Sequence, residues 1–218
     1  MLVMDSGVRR TENHIIMIFR SMEHTDMITS SNNAKVKQVV QWQTKAKERR
    51  KDHVFLAEGV RMCEEAPVKS VREVYLTEEL EQKLRQNAQN GDTAFWDKLQ
   101  QTGYETVSPE VFAKMADTQT PQGILTVLEQ PSYDLTQLLE QPEPLFLILE
   151  NLQDPGNLGT MIRTGEGAGI TGVIMNSQTV DIFNPKTIRA TMGSIFRVPF
   201  VYVPELSPVL TQMHEKGI

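Results

Sequence analysis

Two side chains with chemical reach, Asn157 and Arg163, stand six residues apart in an otherwise small, turn-forming and apolar segment. That segment is LFLILENLQDPGNLGTMIRTGEGAGITGVIM, Leu145 to Met175. A guanidinium offers a fixed fork of donors that matches phosphate geometry. An Asn amide can both donate to and accept from a ribose hydroxyl. Gly156 and Gly159 let backbone approach a ligand closely, and helix N-terminal amides favour an anion. The bland alternative for Arg163 is a surface salt bridge. Its small neighbours Gly159, Thr160, Thr164 and Gly165 suit close packing around a functional side chain, or helix–helix packing in a dimer.

These residues need a particular frame. Leu145 to Leu149 reads as a buried strand, Glu150 to Gly156 as a loop, Asn157 to Ala168 as a helix closed by Gly169, and Val173 to Met175 as the next strand. Asn151, Asp154, Gly156, Asn157 and Gly159 then fall at the carboxyl edge of a strand, where α/β sheets take ligands. Gly167 to Gly172 also spells G-x-G-x-x-G, but it closes a helix and leads into a strand. A dinucleotide fingerprint must do the reverse, so an NAD site is not supported.

A second cluster carries charge. The 218 residues have a net charge of −6, yet Lys35, Lys37, Lys45, Lys47, Arg49, Arg50 and Lys51 form a basic stripe opposed only by Glu48 and Asp52. Ser30 to Asn33 supplies helix caps, and Val36, Val39, Val40 and Trp42 recur at helical spacing. One helix is therefore expected to run to about Lys51, apolar on one side and cationic on the other. A solvated face and an RNA-contacting face both fit; one sign concentrated over two turns favours phosphate contact.

The rest of the chain reads as positioning framework. Strands are expected at His53–Ala57, Val71–Leu76, Tyr104–Val107, Gly123–Leu128 and Val198–Val203. Helices are expected at Val60–Ala66, Glu78–Asn90, Ala94–Gln101, Pro109–Ala116, Lys186–Met192 and Ser207–Lys216. That alternation is α/β. It divides into an extension (residues 1–26), a first domain (27–130), a linker (131–144, with a short helix at Leu135–Leu139) and a second domain (145–218). The single cysteine, Cys63, excludes a disulfide framework, and falls on an apolar face. The four histidines show no metal-ligand spacing, so no metal site is expected. No apolar run is long enough to span a membrane, and Ile15 to Phe19 is too short for a secretory signal core, so a soluble cytoplasmic protein is expected.

DPGNLGTMIRT followed by NPKTIRATMGSIFRVPF resembles the first two conserved motifs of the SpoU-type RNA ribose 2′-O-methyltransferases, in the SPOUT superfamily. NAKVKQVVQWQTKAKERRKDHVFLAEGVRMCEEA is similar to the RNA substrate-binding domain of its two-domain members. The likeness covers about Ile28 to Ile218. It implies a small α/β RNA-binding domain before a methyltransferase domain with a trefoil knot. It also implies bent S-adenosylmethionine as cofactor and a site built by two subunits of a homodimer. The motif arginine and its companion asparagine fall on Arg163 and Asn157. The second motif spans Asn184 to Pro199. Met175, Asn176, Met192 and Gly193 are the expected cofactor contacts, and Arg189 joins the basic stripe as an RNA contact. The third motif is absent, because the chain ends where the next strand should start; the second domain is expected to be cut short at Ile218. Ribosomal RNA is expected ahead of transfer RNA as substrate, and a non-catalytic RNA-binding module is the alternative.

Overall fold

The computed structural model describes residues 26–218. The expected extension, apart from Asp26, lies outside the described residues.

The first half builds a four-stranded sheet in the order β1 (Val54–Glu58), β4 (Ile124–Glu129), β2 (Val71–Thr77), β3 (Glu105–Val107). β4 pairs antiparallel with β1 and β2, and β3 pairs parallel with β2. Ile28 bridges to Val107 and covers the β3 edge. Around the sheet lie α1 (Ala34–Thr44), α2 (Ala46–Asp52), α3 (Val60–Glu65), α4 (Glu78–Gln89), α5 (Ala94–Thr102) and α6 (Pro109–Met115). Asn33, Thr77 and Ser108 cap α1, α4 and α6 with side-chain oxygens.

The strands are buried on both faces, and their alternation sorts residues between separate cores. Val54, Leu56, Leu125 and Val127 face α1 and α6, packing on Val36, Val39, Trp42, Val111 and Phe112. Leu76 and Ile124 face α4 and α5. Phe55, Ala57 and Leu128 face the second half of the chain. Cys63 is buried as expected, and burial pushes its thiol up to about 12.

The expected single basic helix is two. Lys45 is extended, with φ −122° and ψ 109°, and α2 starts afresh after it. No Gly or Pro causes the break. Arg49 folds back on the end of α1 and donates to the carbonyls of Trp42 (2.7 Å) and Gln43 (3.3 Å). These are terminal carbonyls without helical partners, so the guanidinium closes α1 where it ends.

After α7 (Leu135–Leu139), the second half forms a parallel sheet in the order β5 (Phe146–Leu149), β6 (Gly172–Asn176), β7 (Phe200–Val203). α8 (Pro155–Gly167) crosses between β5 and β6, α9 (Pro185–Thr191) lies between β6 and β7, and α10 (Ser207–Glu215) follows. α8 and α9 touch at Gly159, where a Cβ would lie 2.5 Å from Ala190 Cβ and 2.6 Å from the Thr187 carbonyl. A Cβ at Gly165 would run into Ile170. Gly159 and Gly165 of α8 thus serve packing within this chain. No described helix is long and apolar enough to cross a membrane.

The two halves share one core. Phe55, Ala57, Met62, Ala66 and Leu128 from the first pack with Leu158, Ile162, Phe183, Ile188, Ile195 and Phe200 from the second. Ion pairs rim this contact: Arg49 with Asp181 (2.7 Å), Arg189 with Asp117, and Arg197 with both Glu65 (2.9 Å) and Glu166.

Candidate functional site

The loop from β5 to α8 carries the expected chemistry. Asp154 caps α8, accepting from the Asn157 amide at 2.7 Å, with Pro155 as the first helical residue. That bond, and then Lys186 3.7 Å away, hold the Asp154 carboxyl below its ordinary range. The Asn157 side chain is exposed at the first turn. Arg163 is exposed about 9 Å further along the axis and about 120° around it, by helical geometry. Long helical side chains lean toward the helix N-terminus, so Arg163 covers the turn before its own Cα. Among the described residues Arg163 has no ion-pair partner and no side-chain hydrogen bond, so the salt-bridge reading of it fails. Thr160 and Thr164 turn their hydroxyls onto the carbonyls of Gly156 and Thr160.

The loop is held from one side. The Asn151 amide donates to Asn176 Oδ1 (3.0 Å), and Asn176 Nδ2 donates to Asn151 Oδ1 (2.8 Å). Thr179 donates to Asn176 Oδ1 at 2.9 Å. Gln153 Nε2 donates to the carbonyls of Asn151 (3.2 Å) and Gln178 (2.7 Å), and Val180 N to that of Leu152 (2.8 Å). Tyr202 then fixes the far end of the 176–182 segment, accepting from Ile182 N and donating to the Val180 carbonyl.

The four expected cofactor contacts do not come together. Met175 is fully buried in the core between the halves. Asn176 is 6% exposed, and its amide is committed to the loop. Gly193 faces the first half, where a Cβ would run into the Glu65 carboxylate. Only Met192 is open, in a left-handed backbone (φ 50°), lining a cleft of about 280 Å³ between the halves with Glu58, Arg61, Gln122 and Arg189. Met175, Asn176 and Gly193 are thus placed in the interior, and Met192 at the surface. The first fills core, the second fastens a loop, and the third is covered.

The basic stripe also separates. Lys37, Lys45, Lys47, Arg50 and Lys51 are exposed and without ion-pair partners among the described residues. Lys35 is exposed but pairs with Glu105. Arg49 is 3% exposed, its two terminal nitrogens donating to the end of α1 and to Asp181 while its buried Nε has no partner among the described residues, so it is an interior strut and faces away from the basic surface. Arg189 is half-buried and paired with Asp117. Asp181, Thr179, Tyr202 and Glu65 carry no signal in the sequence. The partner of Asp181, Arg49, lies 132 residues away in the chain, and those of Tyr202 lie 20 and 22 away, with no spacing to mark them.

An α/β module with a basic face thus packs on a parallel α/β module that presents an exposed amide and an arginine without an ion-pair partner among the described residues on one helix. Residues 144–218 match the model of the SpoU rRNA Methylase family, and residues 33–126 match the MRM3-like substrate binding domain. The chain is 36% identical over 188 residues to the 23S rRNA (guanosine(2553)-2′-O)-methyltransferase RlmP of Bacillus subtilis, covering 82% of this chain and 68% of that one. It is 41% identical over 110 residues to the human mitochondrial rRNA methyltransferase 3, covering 48% of this chain and 26% of that one. The AdoMet-bound rRNA methyltransferase of Sinorhizobium meliloti superposes with a TM-score of 0.71 at 26% identity, over 87% of this chain and 68% of that one. The chain belongs to the SpoU rRNA methylase family.

Proposed function

We propose that this protein transfers a methyl group from S-adenosylmethionine to a ribose 2′-hydroxyl of ribosomal RNA. The observation that carries the reading is the pairing of the family match with an unpartnered Arg163 and an exposed Asn157 on the first turns of α8. Relatives named for 2′-O-methylation of 23S rRNA support ribosomal over transfer RNA. S-adenosylmethionine supplies the electrophilic methyl group; the protein's task is to place the acceptor hydroxyl and help its proton leave. Arg163 holds a phosphate beside the acceptor ribose and orients its 2′-hydroxyl, and Asn157 fixes the ribose. A guanidinium stays protonated throughout, so Arg163 acts by position and charge and not as the base. Lys37, Lys45, Lys47, Arg50 and Lys51 draw RNA onto the first half, with Lys35 and Arg189 joining once RNA phosphates displace Glu105 and Asp117. The reading carries with it the family's knotted cofactor domain, a homodimeric site and a cytoplasmic location.

The test is methyl transfer from labelled S-adenosylmethionine to ribosomal RNA by the full-length gene product, with the 2′-O-methyl positions mapped in cells with and without the gene. Arg163→Ala should lose about 100-fold or more in rate, the scale on which misplaced reactants slow a reaction. Wild-type rate in Arg163→Ala would overturn its role. Calorimetry that finds RNA binding but no S-adenosylmethionine binding by the full-length gene product would favour a non-catalytic RNA-binding module.

A further inference from the structure

Asn176 ends β6 with a buried amide at a position where a strand leaving the core ordinarily carries an apolar side chain. Its carbonyl oxygen takes two donors, the Asn151 backbone amide and the Thr179 hydroxyl, and its NH₂ reaches Asn151 Oδ1. Asn151 in turn adopts the left-handed conformation, φ 53°, which few residues other than Gly and Asn tolerate. The backbone therefore turns sharply just after β5, and the turn is closed by a reciprocal amide pair. Three residues later Asp154 starts α8, and three more bring Asn157. Any rotation at Asn151 swings the whole first turn of α8.

We propose that Asn151 and Asn176 are a positioning pair for methyl transfer. Their mutual hydrogen bonds set the angle at which the loop delivers Asn157 and Arg163 to the RNA ribose. This rests on the reading of the chain as a ribose 2′-O-methyltransferase centred on those two residues. Neither member of the pair is placed at the reacting atoms. Asn176 is too buried, and Asn151 commits its backbone N–H and its Oδ1 to Asn176. The basic face that draws RNA onto the first half lies on other elements, so loosening the loop should leave RNA affinity intact while the reaction slows.

The experiment compares wild-type full-length gene product with Asn176→Ala, Asn151→Gly and the double variant, reading single-turnover methyl transfer, RNA Kd and thermal midpoint. Asn151→Gly keeps the left-handed backbone accessible and removes only the amide–amide bond, so it should fold. Asn176→Ala is expected to lower the single-turnover rate by about 30-fold, since misplacement near 1 Å costs up to about 100-fold. Asn151→Gly should lose less, and the double variant no more than Asn176→Ala, because both act through one contact. RNA Kd should move by less than twofold. The proposal is overturned if Asn151→Gly keeps the wild-type rate, if the two losses multiply, or if the rate falls only with the folded fraction. If the wild-type protein methylates no RNA, the underlying reading and the pair's role fall together; an active wild type with unaffected variants sinks the pair's role alone.

Discussion

Arg49 and Arg50 are neighbours of identical type with opposite fates. Arg49 is enclosed, donating to two helix-terminal carbonyls and to Asp181; Arg50 is exposed and unpaired among the described residues. In the string KERRK nothing separates them, because which residue turns inward depends on where α1 ends. Arg49→Ala should cost about 3 kcal/mol in urea unfolding, the scale for breaking a buried pair, because it strands Asp181 and two carbonyls. Reversing Lys47 and Arg50 to Glu should leave the urea midpoint within about 0.5 kcal/mol, as for ordinary surface changes. It should instead flatten the salt dependence of RNA binding, by about 0.7–0.9 in log–log slope for each phosphate left without its cation. An unchanged slope would remove those two residues from the interface. Cys63 is the residue-scale prediction that needs no RNA. With its thiol pushed up to about 12 by burial, it stays protonated at pH 8, and maleimide labelling should occur only on unfolding.

At the scale of elements, α8 shows what was legible and what was not. Its apolar spacing, the Asp-Pro start and the Gly169 end were all in the sequence, and the helix lies within two residues of expectation at its start and one at its end. The same holds for most strands, because runs such as VFLA and FLIL have few alternatives once buried. The break at Lys45 was not legible, since it follows from a guanidinium reaching back, not from a local breaker. The partner of α8's glycines was also hidden. Small residues announce a close approach, but not to what: Gly159 meets α9 and Gly165 meets Ile170. Two substitutions separate these roles. Gly159→Ala should destabilise by about 1–3 kcal/mol, the cost of forcing a methyl group into a packed contact. Gly167→Ala meets nothing within 4 Å and should stabilise by about 0.5–1 kcal/mol through helix propensity and unfolded-state entropy. Urea midpoints of the two variants check both signs.

For the whole molecule, the electrostatics sit at the seam. Arg197 draws Glu166 below its ordinary range, and Arg61 followed by Arg197 does the same for Glu65. A carboxyl whose folded-state pKa is depressed adds stability above its unfolded pKa and loses it as pH falls through the folded value. The seam should therefore be fully stabilised at neutral pH and weaken below the ordinary glutamate range near 4.5. Arg197→Gln should lower the urea midpoint at pH 7 and have a much smaller effect at pH 3; equal effects at both would mean the ion pairs contribute nothing. The seam was the least legible part of the sequence. The proline-bearing stretch before Leu145 reads as a linker between independent bodies, whereas Phe55, Ala57 and Leu128 were already committed to packing against the second half.

That shared core has a consequence for engineering. The two family models meet this chain as separate modules, residues 33–126 and 144–218, which invites cutting and rejoining near the prolines to retarget the enzyme to another RNA. A graft made there would leave Leu158, Ile162, Phe183 and Ile188 against a foreign surface. It would also leave Asp181 without its arginine. The portable unit is larger than the recognition module. A working chimera must carry the face of β1 that bears Phe55 and Ala57, Leu128 of β4 and Arg49 along with the substrate-binding module, so the module is exchanged together with its share of the common core.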